Sequence, residues 1–323
     1  MTAFEPFEAF GDLDEISERL ESPDPSVRRL AVIDLVETSS GEAIPLLVRA
    51  VGDPAAEVRL QTARALGEFD GVDVATALVS VLTDSETDVA QAAADSLAEL
   101  RDSAASTALL PLATHSSAFV RAAVFRALKA LQVDASLGPA IAALGDADAR
   151  VRVQAVGVIG YLKKTETLPS LIHATRDENA DVRLAAINAL SFTRNEVAAQ
   201  AAADALSDGE WQVRAVAAET IGRIGQISVA TALIRSLDDG YWQVRQKALQ
   251  SLGKLRARPA VAAIIPFLDD PLPSLRKDAA AALGDIADPK ASDALGARAQ
   301  DEDPEVRKTV IWALGQIGRA TNP

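Results

Sequence analysis

The chain has 323 residues, a formal net charge of −14 and no cysteine, so disulfide bonds, thiolate metal sites and cysteine nucleophiles are excluded. No apolar stretch reaches the roughly 20 residues that a membrane-spanning helix needs. The acidic start of the chain also lacks the basic and apolar regions of a signal peptide. We therefore expect a cytoplasmic protein that does not bind membranes.

Acidic residues are concentrated in the first part of the chain. Residues 1–100 contain 21 acidic and 6 basic side chains, whereas the remaining residues contain 25 and 26. An acidic surface repels nucleic acids and favours solubility or a basic partner.

A repeat of 31 residues runs through the chain from start to end. A valine followed by arginine marks most copies, and Val89-Ala90 and Leu275-Arg276 are variants in the same register. The first residues of the ten pairs are Val27, Val58, Val89, Val120, Val151, Val182, Val213, Val244, Leu275 and Val306. We number each repeat from this residue, which is position 0. Ten copies without an insertion predict a repeat architecture.

Apolar residues at positions 0, +4, +5, +8 and +11 of each repeat follow the spacing of one face of an α-helix. Glycine recurs at position +9, where it costs about 1 kcal/mol of helix propensity. Close approach of a neighbouring helix would explain that cost. The glycines are Gly67, Gly160, Gly222, Gly253, Gly284 and Gly315.

Helix-start signals precede position 0, and a second apolar helical segment lies upstream of each one. Capping residues are predicted at position −3, followed in three repeats by a proline that suits the first turn. The predicted caps are Asp24, Ser117, Asp148, Asn179 and Asp303. The upstream helices include segments 43–51, 74–82 and 260–268. Each repeat is therefore a helical hairpin that must stack on its neighbours to bury its apolar face.

These observations predict an all-α fold, a right-handed α-solenoid of ten helix-turn-helix repeats. We expect a single domain over 1–323, with an N-terminal capping segment at 1–11, the repeats at 12–318 and a tail at 319–323. Phe4, Phe7 and Phe10 are predicted to fold over the first hairpin as an apolar cap.

A second regularity links the loops. Aspartate occupies position −5 in eight of the ten repeats, and arginine occupies position +1 in nine. Because the two residue types occur together in most repeats, we interpret them as ion pairs that join the turns, and not as an anion-binding site.

The pattern D-x4-V-R-x2-A-x3-L-G resembles HEAT repeats, especially the short HEAT-like repeats of bilin lyases from light-harvesting complexes. The resemblance covers about residues 12–318. Proteins of this armadillo-like type include chromophore lyases, phycobilisome-degradation adaptors, deoxyhypusine hydroxylases, alkylpurine DNA glycosylases and scaffolds. The resemblance therefore implies the fold, and function must be sought where the chain departs from the repeat.

The residues offer little for catalysis. The di-iron hydroxylases of this fold bind their metals through His-Glu pairs, whereas the two histidines here, His115 and His173, are not followed by glutamate. We interpret His115, at position −5, as a substitution that still forms a hydrogen bond, and His173 as a helix-surface residue. We therefore expect no metal, no cofactor and no catalytic site.

The candidate binding residues lie on the second helices, which line the concave side in this fold type. Positions −1, +3, +6 and +10 form an exposed stripe. Residues 211–260 add eight basic and three acidic side chains, together with tryptophans at a position that is usually Ala or Pro. Trp, Tyr and Arg are enriched at interface hot spots. The predicted partner-binding residues are Phe119, Arg126, Arg150, Tyr161, Phe192, Trp211, Arg223, Tyr241, Trp242, Lys247, Lys254 and Trp312.

Three functions are open at this stage. The first is a non-catalytic bacterial scaffold or adaptor that binds a protein segment in its concave groove, with possible end-to-end self-association through Ile311 and Trp312 of the last repeat. The second is tetrapyrrole handling, as a chromophore lyase or carrier. The third is nucleic-acid binding through repeats seven and eight, which is disfavoured because Arg214 and Arg245 are expected to be committed to ion pairs.

Overall fold

The structure is a computed structural model that describes residues 13–38 and 40–321 and divides the chain into two compact units, Met1–Leu162 and Lys163–Pro323. Phe4, Phe7 and Phe10, and with them the predicted N-terminal cap, lie outside the described residues. Throughout the described part, odd-numbered helices are the first helices of the repeats and even-numbered helices are the second.

The first unit contains five helical hairpins, and the second helices of neighbouring hairpins pack on one another. Its helices are α1 (Leu13–Leu20), α2 (Pro25–Glu37), α3 (Ala43–Ala50), α4 (Ala56–Leu66), α5 (Val72–Ser80), α6 (Thr87–Leu97), α7 (Ser106–Leu109), α8 (Ala118–Leu131), α9 (Leu137–Ala143) and α10 (Ala149–Leu162).

The second unit repeats this plan with five more hairpins. Its helices are α11 (Leu168–Ala174), α12 (Ala180–Ala189), α13 (Glu196–Asp204), α14 (Trp211–Ile224), α15 (Ala230–Arg235), α16 (Trp242–Lys254), α17 (Val261–Ile264), α18 (Pro273–Ile286), α19 (Ser292–Ala297) and α20 (Pro304–Thr321). The predicted all-α solenoid fold is confirmed, and no strand occurs in the described part of the chain.

The first helices are less regular than the sequence suggested. The predicted helix at 260–268 is only Val261–Ile264, enclosed by 3-10 turns at Arg258–Ala260 and Ile265–Asp269. Pro266 explains the break, because proline lacks the N–H that an α-helix needs and clashes with the preceding turn. Pro111 has the same effect after α7, where a 3-10 turn spans Leu110–Thr114.

The core follows the predicted positions of the second helices. Val213, Ala217 and Ile221, at positions 0, +4 and +8 of α14, are completely buried. Thr62 takes the place of alanine at position +4 of α4 and stays buried because its hydroxyl donates to the Val58 carbonyl, 2.8 Å away. Each hairpin therefore buries one face of its second helix, as the apolar spacing indicated.

Most predicted caps are present, but one is not. The side chains of Asp24, Asn179 and Asp303 accept hydrogen bonds from backbone N–H groups in the first turn of their helices. The Ser117 side chain forms no such bond, so that prediction is wrong. Its own N–H instead donates to Nδ1 of His115, 3.1 Å away.

The recurrent glycines allow neighbouring second helices to approach each other, as predicted. A Cβ built on Gly253 would lie 2.9 Å from the Ala282 Cα, which belongs to the backbone of the next second helix. One built on Gly222 would lie 2.5 Å from the Ser251 hydroxyl, which donates to the Ala218 carbonyl. These distances leave no room for a side chain at Gly222 or Gly253.

The predicted ion pairs join successive repeats. In the pair of Arg59 and Asp84, Nε and Nη2 donate to the two carboxylate oxygens at 2.6 and 2.9 Å, while Nη1 donates to the carbonyls of Asp53 and Pro54. One guanidinium thus connects its own loop to the next. We call each such Arg–Asp pair a rung. The rungs are Arg28–Asp53, Arg59–Asp84, Arg121–Asp146, Arg183–Asp208, Arg214–Asp239 and Arg276–Asp301.

The rung series also accounts for His115. A rung between repeats three and four would join position 90 to position 115, and these positions hold alanine and histidine. Arginine and its aspartate are therefore lost together. His115 keeps the local part of the aspartate's role, because Nδ1 accepts the N–H two residues on, as Asp84 does from Glu86.

Removing a rung should lower stability. In Arg59→Ala, Asp84 keeps a half-buried charge without its partner, and two loop carbonyls lose a donor, so we expect a loss of about 2 kcal/mol in the free energy of unfolding. Urea unfolding followed by circular dichroism measures it. Arg64→Ala removes an exposed arginine from the same helix and should change stability by only about 0.5 kcal/mol. Equal losses would contradict the role of the rung.

Glycine at position +9 offers a paired test. Gly253→Ala should lower stability by about 1–3 kcal/mol, because the added methyl meets the backbone of α18. Gly315→Ala is the same substitution at the same position of α20, where no atom would lie within 4 Å of the Cβ. It should raise stability by about 0.5–1 kcal/mol through helix propensity. Thermal unfolding compares the two variants, and shifts of the same sign would contradict the close-approach argument.

Candidate functional site

The predicted stripe is exposed at many of its positions, but position +3 is buried in several repeats. In repeat three, Asp88, Asp95 and Glu99 are exposed, whereas Ala92 at position +3 is buried. Ala123, at position +3 of α8 and therefore also on the predicted stripe, is buried as well, at 5% exposure. The reason is that side chains at position +3 face the neighbouring second helix, so this part of the stripe is not free surface.

In the first unit, the predicted basic residues are held by carboxylates. Arg126 forms an ion pair with Asp95 of α6 at 2.7 Å. Arg150 pairs with Asp148 at 2.6 Å, and this hydrogen bond lowers the pKa of Asp148 to about 2. Tyr161 is exposed, with the Lys129 ammonium 5.9 Å from its ring centre. Phe119 lies half-buried in the first turn of α8.

In the second unit, Glu219 of α14 organises the middle of the second-helix face. It pairs with Lys247 of α16 at 2.8 Å and with Arg223 at 2.5 Å, and the Lys247 hydrogen bond lowers its pKa. Arg223 also donates to the Asn188 side chain of α12 at 3.2 Å. Two predicted basic residues are thus brought together, but around a carboxylate.

A row of apolar side chains lies elsewhere, at the amino ends of the second helices. We call Trp211, Tyr241, Trp242 and Leu272 the apolar row. Trp211 and Trp242 are the first residues of α14 and α16, and Tyr241 and Leu272 are the N-cap residues of α16 and α18. Because α14, α16 and α18 pack side by side, their amino ends place these four residues along one edge of the unit.

Part of the apolar row is packed against other side chains of the protein. The rings of Trp211 and Tyr241 stack with centroids 5.5 Å apart and an interplanar angle of 13°. The Arg214 guanidinium lies 5.6 Å from the centre of the Tyr241 ring, so the stack also contacts a rung. Even so, Tyr241 is 48% exposed, Trp242 41% and Leu272 39%. Three large apolar side chains of the row therefore face solvent.

Arg245 corrects one expectation. It lies at position +1 of repeat eight and was predicted to be committed to a rung, with Asp270 in the register of its partner. Its Nη1 donates to the carbonyls of Asp239 and Gly240 as in other rungs, but it forms no ion pair with Asp270 or any other described carboxylate. Among the described residues, the Asp270 carboxylate accepts one hydrogen bond, from the Leu272 N–H at 2.8 Å.

The other predicted residues are not part of the row. Lys254 is the last residue of α16, about 18 Å along the helix from Trp242. Phe192 is half-buried in the 3-10 turn after α12. Trp312 of α20 is 42% exposed and lies against Gly284, since a Cβ built there would be 2.5 Å from its ring.

The sequence did not predict that Leu272 is part of the exposed apolar row or that Arg245 lacks its ion pair. Leu272 had a detectable signal: position −3 is otherwise short, acidic or polar, except for Tyr241. The missing ion pair of Arg245 had none, because both residue types are present at the expected positions.

The described residues contain neither a metal-binding cluster nor a membrane-spanning helix. No group of three or more His, Asp or Glu side chains there is arranged to hold a metal ion, and none of the described helices combines the length and apolar character needed to cross a membrane.

Comparison with known families identifies the repeat. A family model described as HEAT repeats matches residues 13–98, 75–139, 137–222, 200–271 and 261–322. None of the curated proteins compared with the chain is significantly similar to it.

Solved structures share the architecture at low sequence identity. An engineered protein matches with a TM-score of 0.54 and 20% identity, covering 95% of this chain and 99% of its own. Importin β matches with 0.63 and 16%, covering 95% of this chain and 50% of its own. Kap95p, which binds RanGDP, matches with 0.62 and 14%, covering 94% and 50%. The chain spans about half the length of the latter two, and these likenesses show the fold alone.

The rung below the aromatic stack should make stability depend on pH. The hydrogen bond from Arg214 lowers the pKa of Asp239, so the folded protein keeps this carboxylate ionised at pH values where the unfolded chain, with a pKa of about 3.9, takes up a proton. Its contribution is complete above that value and is lost as pH falls through the folded pKa. Asp239→Asn should thus lower the urea midpoint at pH 7 and flatten its decline as the pH falls below about 4.

Asp238→Asn is the matched control, because Asp238 is exposed and adjacent in the chain. An Asp239→Asn variant with the same pH profile as the wild type would contradict the assignment.

Proposed function

Because the chain belongs to the HEAT-repeat family, we propose that it is a non-catalytic bacterial scaffold or adaptor of the cytoplasm that binds a protein partner on the side formed by its second helices. Stacked hairpins of this kind create extended surfaces, which are concave in solenoid proteins. The partner would lie along that side of the second unit and reach the amino ends of α14, α16 and α18.

The observation that carries the proposal is the exposed part of the apolar row. Trp and Tyr dominate binding energies at protein interfaces because they bury a large area and lose little conformational freedom. Here three large apolar side chains face solvent beside charged residues, at positions where other repeats have short or polar side chains.

The charged face supports the same proposal in a secondary role. Lys254 and Arg223 are exposed at the far end of the stripe, and Lys247 is half-buried beside Glu219. Exposed charges at the rim of an interface steer association and select partners more than they add affinity. We therefore assign binding energy to the apolar row and orientation to these basic residues.

Tetrapyrrole handling and nucleic-acid binding stay predictions of lower rank. The Arg214 charge is neutralised by Asp239, and Lys247 and Arg223 share Glu219, so fewer cations of repeats seven and eight are available to phosphates or propionates than the sequence implied. Self-association through the last repeat is also a proposal. It is supported by Ile311, which is 64% exposed on α20.

The proposal is tested by the double variant Trp211→Ala/Trp242→Ala. Affinity capture from the native host with wild type and variant, each immobilised at equal density, should show a set of proteins retained by the wild type and reduced at least about tenfold with the variant, as loss of a hot spot predicts. Quantitative mass spectrometry measures the ratio.

Ile227→Ala is the matched control. Ile227 is 52% exposed in the same unit but lies in the 3-10 turn before α15, outside the apolar row. Its captured proteins should equal those of the wild type. If the double variant folds and captures the same proteins at the same levels as wild type, the apolar row is not the binding site.

A further inference from the structure

Arg245 is oriented like the arginine of a rung but is not neutralised. In intact rungs, Nη1 donates to two carbonyls of the arginine's own loop, and Nε with Nη2 forms a fork on an aspartate of the next repeat. Arg245 keeps the first set, at 2.9 Å to the Asp239 carbonyl and 3.4 Å to the Gly240 carbonyl. The guanidinium is therefore held in place, and its fork has no carboxylate among the described residues.

The surroundings of this fork are apolar and exposed. Trp242 lies one helical turn before Arg245 on α16, so the two side chains share a face. In the preceding repeat, the N-cap residue Tyr241 lies against the Arg214 guanidinium. The equivalent residue for Arg245 is Leu272, the N-cap of α18, which packs beside α16. By helix spacing and by the register of the repeat, we therefore expect Trp242 and Leu272 on either side of the open fork, and both face solvent.

We propose that Arg245, Trp242 and Leu272 form a docking site for a peptide segment that carries a carboxylate side chain next to a bulky apolar side chain. The carboxylate takes the place that an aspartate of the next repeat takes in every intact rung, and the apolar side chain covers the indole of Trp242. This inference rests on the proposed function and names the chemistry of the partner at one end of the apolar row.

Charge complementarity selects this occupant. A planar guanidinium with its Nη1 already fixed presents two parallel donors, which match a carboxylate. A phosphate group would bring nearly twice the negative charge close to Asp270 and the Asp239 pair, and would therefore be repelled more strongly. The fixed side chain also loses little conformational entropy on binding, so more of the interaction appears as affinity.

A defined probe tests the site. We would titrate the protein, labelled with ¹⁵N, with the peptide acetyl-Gly-Phe-Asp-Leu-Gly-amide and with its Asn counterpart, and follow the indole N–H signals of the three tryptophans. The Asp peptide should shift the Trp242 signal and leave that of Trp312 in place. The dissociation constant of the Asn peptide should be at least about tenfold higher, because a hydrogen bond to a charged group is replaced by a neutral one.

Variants assign the effect to Arg245. Arg245→Gln should abolish the difference between the two peptides, whereas Arg235→Gln, which removes an exposed arginine of the same unit, should preserve it. If Arg245→Gln does not fold, Arg245→Lys keeps the charge without the fork and should reduce the preference for the Asp peptide.

Several results would overturn the inference: equal binding of the two peptides, a preference unchanged in Arg245→Gln, or no shift of Trp242. An ion pair between Arg245 and Asp270 in solution would also overturn the inference. In that case Arg245→Gln and Asp270→Asn would each lower stability as much as the corresponding changes at Arg214 and Asp239, and the double variant would lose no more than either single one. Capture that fails with Trp211→Ala/Trp242→Ala but persists with Arg245→Gln would reject this inference and leave the proposed function standing.

Discussion

The rung between one repeat and the next is the interaction on which the rest of the structure depends. A helical hairpin of 31 residues buries its second helix only when a neighbour covers it, and the hydrophobic contact between helices is by itself non-directional. A bidentate pair such as Arg59–Asp84, with Nη1 held by two loop carbonyls, fixes both the distance and the angle between loops. The glycine at position +9 then sets how closely the helices meet, because a Cβ at Gly253 would touch the backbone of α18.

This coupling explains why the sequence predicted the fold well. Each recurrent feature of the repeat corresponds to a contact between adjacent repeats. The residue at position 0 packs in the core, the arginine after it pairs with the aspartate 25 residues later, and the glycine at +9 meets the next helix. Local contacts of this kind recur along a solenoid. The sequence could not predict which rung is missing in the second unit. Arg245 and Asp270 have the right identities and register, yet their side chains do not meet. Residue types at these two positions do not distinguish this pair from an intact rung.

The binding surface was predicted only in part, for a similar reason. Helical spacing identified which side chains leave the core, but not whether the next helix covers them. Ala92 and Ala123 were placed on open surface and are buried between second helices, while Arg126 and Arg223 are held by carboxylates of the same face. The residues that depart from the repeat were more informative. Trp242 and Tyr241 were singled out in this way and are exposed.

The same regularity gives the departures their meaning. A charge that an intact rung neutralises adds rigidity and no recognition, so Arg214 is structural even though it contacts the aromatic stack. Arg245 differs only in lacking its carboxylate, while its loop bonds remain. A solenoid therefore needs no separate binding loop to create a specific site. Omitting one rung beside exposed apolar side chains leaves a fixed arginine whose preferred partner must come from another molecule.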